Sequence, residues 1–523
     1  MKAVARCRTL MICISGIAPC CPLSRRTAPC QPPHVSQPTL RLGARRNRET
    51  PVQFRHRSNR TLPPMQKLLA PHESQLVGIW PSRVRNAASG RSLDAERGVL
   101  LVPSIRTHEE SPALSLPFVR VPARRDLGLP PLVVLAGGPG APAIGAFETS
   151  MFEHVERLSD ICDVVTFDQR GCQGALPNLD SPYRPQYDLS EVLTRDTALA
   201  AQRDHAGRLA AYWRERGVEV DAFNTVESAH DVDDLRKALG AETINLHGAS
   251  YGSHLGLAVL RLHGERVGKA ILCIVEGPDD THKLPANTDG HFRHIAEVAR
   301  GSASLDGACP DLNGELRAVL EDYDADPPLV QMAGVEERVP LGRFAVQTIL
   351  GGALGSTRAI RGLPAFARQL TRRDTSTLSR RFGRWLGQAP HGMMLAMDCA
   401  SGATAQRLAD IESQRTGALL DDTFNLPFPF VGDVMGITDL GDAFRAPVKS
   451  ATPTLFCCGT LDGRTPISNA VAAREGFSDS RLIVVEGASH EVPSVLIEPH
   501  LSFLRGEDVG DMRLQIPFEF DPL

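Results

Sequence analysis

TINLHGASYGSHLG, residues 243–256, reads as a short apolar strand (Ile244, Leu246) that stops at a Gly-x-Ser-x-Gly and turns directly into a helical pattern (Leu255, Val259, Leu262). A serine that is to attack a carbonyl must stand clear of the backbone, and a sharp strained turn with Ser250 at its apex achieves this. Side chains on either flank would collide with the neighbouring strand and helix, which explains Gly248 and Gly252. The following helix aims its free N–H groups and positive end at the serine, so an oxyanion can develop there with the N–H of Tyr251 as first donor.

Upstream, PLVVLAGGPGAP is an apolar strand ending in the glycine-rich turn Gly137–Gly140. A backbone opened by glycine can present a second N–H to the same oxyanion, and Gly138 is assigned to that position. A phosphate loop is excluded because no Lys-Ser/Thr follows the glycines. DVVTFDQRGCQGA gives a buried strand, Val164 to Phe167, whose C-terminal loop carries Asp168 and Arg170. These two are expected to brace the loops by pairing with each other or with backbone. The helix SAHDVDDLRKALG leads into the nucleophile strand, and its Asp231, Asp233 and Asp234 are expected to form a solvated face.

Further strands are expected at Gly98–Val121 (an antiparallel pair), Ala270–Val275 and Leu455–Cys458, with a last one in RLIVVEGASH before a C-terminal helix. Strands alternating with helices predict an α/β class chain with a mostly parallel sheet flanked by helices. The rhythm stops between 279 and 441, where HFRHIAEVAR, GELRAVLEDY, LPAFARQLTRR and SGATAQRLADIESQ have helical patterns. The expected organisation is a leader (1–64), a first part of the core (65–278), a largely helical cap or lid (279–441) and a second part of the core (442–523).

Ser250, Asp462 and His490 occur in the order nucleophile, acid, base, each just past the C-terminal end of an expected strand. In the α/β-hydrolase fold this order and placement give a catalytic triad. His490 would take the proton from Ser250 and return it to the leaving group, while Asp462 would hold the imidazole tautomer and its positive form.

Composition narrows the classes. With 42% hydrophobic and 23% charged residues the chain is ordinary for a globular protein, and no apolar run is long enough to span a bilayer. Residues 1–60 hold twelve Lys or Arg against one acid, Glu49, so the formal net charge of −4 leaves the rest of the chain acidic and without a basic surface for nucleic acid. The basic, Pro- and Ser-rich leader is compatible with a targeting or disordered segment or with a start at Met65, and export and an intracellular location both stay open. No Cys or His spacing resembles a zinc site, so neither metal nor cofactor is expected. Cys273, Cys457 and Cys458 are read as buried thiols, while Cys309 and Cys399 could pair in an exported protein.

GGPG (Gly137–Gly140), DQRG (Asp168–Gly171), GASYG (Gly248–Gly252), GTLDGRTP (Gly459–Pro466) and GASH (Gly487–His490) together resemble the prolyl iminopeptidase and tripeptidyl aminopeptidase branch of the α/β-hydrolases, over about Gly98 to Gly506. The resemblance implies a metal-independent serine exopeptidase that removes residues from a peptide N-terminus under a helical cap. It also implies acidic residues gripping the free amine: Glu276 matches an acidic-Gly position, and Asp398 is a second candidate. The chain departs from the branch at Ala136, where a His is common, and in lacking a cysteine pair around the first strands. An esterase, lactonase or thioesterase on the same triad, acting on a small ester or amide, stays open, whereas a silent binding protein would have lost a triad member.

Overall fold

The computed structural model describes residues 67–523. The leader, its five cysteines and the question of its targeting lie outside the described residues. Among the described residues no helix is long and apolar enough to cross a membrane.

The strands are β1 (Leu68–Leu69), β2 (Gln75–Arg85), β3 (Ser92–Pro103), β4 (Ser111–Val121), β5 (Leu132–Leu135), β6 (Val164–Phe167), β7 (Ile244–Ser250), β8 (Val267–Val275), the short pair β9 (Leu329–Gln331) and β10 (Arg338–Pro340), then β11 (Thr454–Gly459), β12 (Ser480–Glu486) and β13 (Met512–Gln515). Apart from β9 and β10 they form one 11-stranded sheet in the order β13-β12-β11-β8-β7-β5-β6-β4-β3-β2, with β1 on β4. Pairing is parallel from β13 to β6 and antiparallel from β6 to β2. The all-buried runs LVVL and VVTF belong to central strands covered on both faces. At the margin, β2 tolerates Pro81 because an edge strand need not donate every N–H.

β5 lies between β6 and β7, so chain order reverses there, and a crevice opens beyond the strand ends at this switch point. Both the Gly137–Gly140 turn and Ser250 leave the sheet at this crevice.

Two apolar layers sandwich the sheet. One packs Leu246, Leu272 and Phe456 against Trp213, Leu235, Leu255 and Val259 of the helices Arg195–Arg214, Thr225–Ala238 and Tyr251–His263. The other packs Leu132, Ile271, Cys273 and Cys457 against Phe152, Val155 and Leu501 of the helices Phe152–Leu158 and Ile497–Arg505.

Residues 279–441 carry helices and the β9–β10 hairpin, outside the main sheet. Their first part has its own apolar core (Phe292, Leu316, Leu320, Phe344, Leu370, Phe382), which also takes in Leu193, Leu461 and Phe520 from the flanking core segments. Their second part does not stand apart: Met393, Leu395 and Met397 of the helix Gly392–Ser401, with Val431 and Met435, join the layer that contains Tyr251 and Leu255.

Several expectations are corrected. Asp231, Asp233 and Asp234 are buried rather than solvated, because arginines from distant segments reach Asp231 and Asp234, while Asp233 pairs with Arg236 and Lys237 on its own helix. Arg106 bonds Glu227, Asp231 and Asp234 at 2.7–2.8 Å. Arg170, fully buried, holds Asp231 at 2.7 Å and donates to the carbonyls of Ser104 and Ala222. Asp168 and Arg170 do not pair with each other, but both brace the loops through backbone, the other arrangement expected of them, with Asp168 accepting from the N–H groups of Ile144 and Gly174. RLIVVEG is not the last strand, since β13 adds to β12 beyond the C-terminal helix. Cys309 and Cys399 are both free thiols, the first in the cap core and the second donating to the carbonyl of Phe428.

Candidate active site

β7 ends at Ser250, whose backbone lies at φ 57° and ψ −129°, a conformation an L-residue adopts only under constraint. The constraint comes from packing. A β-carbon at Gly248 would lie 2.2 Å from the carbonyl oxygen of Gly252, and one at Gly252 would lie 2.1 Å from that of Leu135. The elbow therefore fits only with glycine at both positions, and Ser250 is thrust out at the end of the sheet.

The base and the acid converge on it. His490 Nε2 lies 2.8 Å from Ser250 Oγ, and His490 Nδ1 lies 2.9 Å from Asp462 Oδ2. Asp462 also accepts from the N–H groups of Arg464 and Thr465 at 2.9 and 3.0 Å and from Thr465 Oγ1 at 2.7 Å. Burial alone would push the Asp462 carboxyl up, but the His490 charge and hydrogen bond and the Thr465 donors overcome it and hold the group below the usual carboxylate range. The acid thus stays ionised in a dry site. This chain of hydroxyl, imidazole and carboxylate can move a proton from Oγ to Nε2 and stabilise the imidazolium that results.

The glycine turn passes directly over the elbow: a β-carbon at Gly137 would come 3.2 Å from Ser250 Cβ. Gly138 has φ 115°, and its N–H donates to no group among the described residues. Tyr251 is the first residue of the elbow helix, so its N–H has no intrahelical acceptor. Its side chain plays a separate, structural part, with the buried hydroxyl beside Thr225 Oγ1 and Met397 Sδ.

Glu276 follows β8 directly, next to Ser250 in the sheet because Ser250 pairs with Val275. Ser253 Oγ ties the two segments by accepting from Glu276 N at 2.9 Å and donating to the Ser250 carbonyl at 2.6 Å. The Glu276 carboxylate holds Lys283 Nζ at 2.7 Å. Asp398, on the cap helix Gly392–Ser401, is buried close to Glu276, and its carboxyl is pushed well above the usual range, first by burial and then by the Glu276 charge, with Lys283 opposing. The structure therefore brings both acidic candidates together and adds a lysine that the sequence reading did not foresee.

Sequence reasoning also missed Thr465, Ser253 and the cap segment 353–355. Gly463 N donates to the Leu354 carbonyl at 2.7 Å, and Gly355 packs so closely that a β-carbon there would come 2.9 Å from His490 Cβ. Thr465 stands inside the GTLDGRTP motif, but nothing local marked it as a partner of Asp462. Contacts from the cap carry no local signal at all.

Known proteins agree with this architecture. Residues 130–328 match the family model described as alpha/beta hydrolase fold. Over 284 residues the chain is 27% identical to the serine protease Hip1 of Mycobacterium tuberculosis and of Mycobacterium bovis, covering 50% of this chain and 52% of the relative. It is 26% identical over 188 residues to the putative hydrolase YuaR of Escherichia coli, covering 35% of each. The chain thus spans about half the length of the curated relatives it matches first. Among solved structures, the proline iminopeptidase of Mycobacterium smegmatis aligns with 15% identity and a TM-score of 0.38, over 75% of this chain and 95% of that one. The family match over residues 130–328 and the strand order, with an elbow at the end of β7, give this chain the α/β-hydrolase fold.

Proposed function

We propose that this protein is a serine hydrolase acting as an aminopeptidase, which releases N-terminal residues or short peptides through an acyl-enzyme. The observation that carries the reading is the pair Glu276 and Asp398 beside the Ser250 end of the sheet, an anionic corner suited to a substrate's ammonium group. Similarity to a relative named as a serine protease supports the same reaction class.

In this mechanism Ser250 Oγ attacks the carbonyl carbon while His490 Nε2 takes its proton. The tetrahedral oxyanion receives the N–H groups of Gly138 and Tyr251. The imidazolium, held by Asp462, then protonates the leaving amine as the C–N bond breaks. Water, deprotonated by His490, attacks the acyl-enzyme, and the imidazolium then protonates Ser250 Oγ as the acyl C–O bond breaks and the carboxylate product leaves. Lys283 neutralises the Glu276 carboxylate, so the net negative charge that meets an incoming ammonium is that of Asp398 and is present only where its raised carboxyl is ionised.

The test is a panel of aminoacyl and tripeptidyl amides, their N-blocked counterparts and aryl esters. Blocking the amine removes a charge-assisted contact of about 1.5–3 kcal/mol, a loss on the order of 10- to 100-fold in kcat/KM. Equal rates on blocked and free amines, with esters preferred, would assign the triad to an esterase, lactonase or thioesterase.

A further inference from the structure

On the sheet face away from the elbow helix, four side chains from four elements meet: His247 on β7, Cys273 on β8, Cys457 on β11 and His500 on the helix Ile497–Arg505. All four are essentially fully buried. Cys273 and Cys457 are direct partners across the β8–β11 pair. His500 Nε2 lies 3.9 Å from Cys273 Sγ and 3.7 Å from Cys457 Sγ. The His247 and His500 rings stand 5.2 Å apart, and the ligand atoms of His247, Cys273 and His500 all lie within 4.8 Å of one another.

A core of thiols and imidazoles could be mere packing, but the nitrogens speak against it. Neither ring nitrogen of His247 nor Nδ1 of His500 has a hydrogen-bond partner, and Nε2 of the neighbouring His154 has none either. Buried polar atoms left without partners are rare because nothing repays their desolvation. Aliphatic side chains would fill the same space without that penalty.

We propose that His247, Cys273, Cys457 and His500 form a zinc-binding site between the sheet and the C-terminal helix. Two thiolates and two neutral imidazoles are a recurrent tetrahedral zinc set. Each thiol gives up its proton to solvent on binding, and the two thiolate charges cancel those of the cation, so the loaded site is neutral and tolerates burial. Zinc–sulfur and zinc–nitrogen bonds of about 2.3 and 2.0 Å at the tetrahedral angle place S and N about 3.5 Å apart. About His500 the observed 3.7 and 3.9 Å need only a small contraction, while Cys457, outside the group of His247, Cys273 and His500 whose ligand atoms are mutually within 4.8 Å, has to draw in further. A cavity of about 210 Å³ lined by Leu135, Gly137, Ala143 and Phe147 reaches His247. Because the four ligands are spread over 253 positions, no local Cys-x-x-Cys or His-x-x-x-His spacing announces them. The bound ion would fasten the nucleophile strand, three residues before Ser250, to β8, β11 and the C-terminal helix.

The experiment uses the full chain, reconstituted with zinc and separately with cobalt(II). Expected is about one equivalent more of tightly held metal in the wild-type chain than in Cys273→Ser/Cys457→Ser, with thiolate-to-cobalt charge transfer that the variant lacks. The comparison matters because Cys7, Cys13, Cys20, Cys21 and Cys30 offer other thiols. An equal signal in both proteins would overturn the proposal, as would a Cys273–Cys457 disulfide found by mass spectrometry of the freshly purified chain. Should the variant not fold, X-ray absorption on the wild-type zinc protein decides: a mixed shell of sulfur and imidazole supports the site, and a shell lacking either refutes it.

Discussion

The carbonyl oxygen of Leu135 stands 2.1 Å from the point that a β-carbon on Gly252 would occupy, so β5 and the elbow helix touch through bare backbone. Gly252→Ala is expected to force them apart, with an overpacking loss of about 1–3 kcal/mol and displacement of Ser250. Labelling by a fluorophosphonate probe, followed alongside a denaturation curve, checks this; normal labelling at wild-type stability would show that the elbow relaxes without harm.

Ser250→Ala should abolish that labelling and lower turnover by a factor on the order of 10³ or more. Persistent labelling would place the nucleophile elsewhere.

Thr465 donates to Asp462 through both its backbone and its hydroxyl. Thr465→Val removes only the hydroxyl bond, worth about 1.5–3 kcal/mol to an ionised acceptor. A kcat reduced on the order of tenfold or more with KM little changed is expected, whereas a change confined to KM would point to substrate contact instead.

Asp398 gives a pH signature. A carboxyl raised above its usual range is protonated below its folded value and charged above it, so KM for free-amine substrates should fall as pH rises through that value. Asp398→Asn should remove this limb, and both it and Glu276→Gln should weaken free-amine peptides more than aryl esters. Parallel losses on both substrate types would sever these residues from amine recognition.

Asp231 is fully buried between Arg170 and Arg106, and removing its charge leaves Arg170, among the described residues, with only Glu227 at 3.8 Å as a carboxylate partner, while Arg106 keeps Glu227 and Asp234. Asp231→Asn should destabilise the protein by about 3–5 kcal/mol. Burial alone would raise the Asp231 carboxyl, but the two arginines hold it below the usual range. Its stabilisation is therefore complete above the unfolded value of about 3.9 and is lost as pH falls below that toward the folded value. Denaturant midpoints taken at about pH 6 and about pH 3 should drop less in Asp231→Asn than in the wild type.

What the sequence made legible was local. The elbow, the GGPG turn and the strands carrying Asp462 and His490 announce themselves because a strand, a tight turn and a helix start each leave a pattern within a few residues. Asp231 did not, since its acidic neighbours on one helix look like a wet surface until Arg106, 125 positions earlier in the chain, is seen to reach them. β2 was obscured by Pro81, permissible only because the strand is an edge. The link from Leu354 to Gly463 and the gathering of His247, Cys273, Cys457 and His500 depend on tertiary packing, for which one sequence has no local signature.

The loop that bears Asp462 is fastened to the cap: Leu461 is buried in the cap's apolar core, Gly463 bonds Leu354, and Gly355 presses on His490. A swing that lifted this part of the cap off the strand ends would tug the acid and base out of line with Ser250. Segment 353–355 and the acid-bearing loop thus keep one another in register, so a substitution that loosens either is felt at both Asp462 and His490.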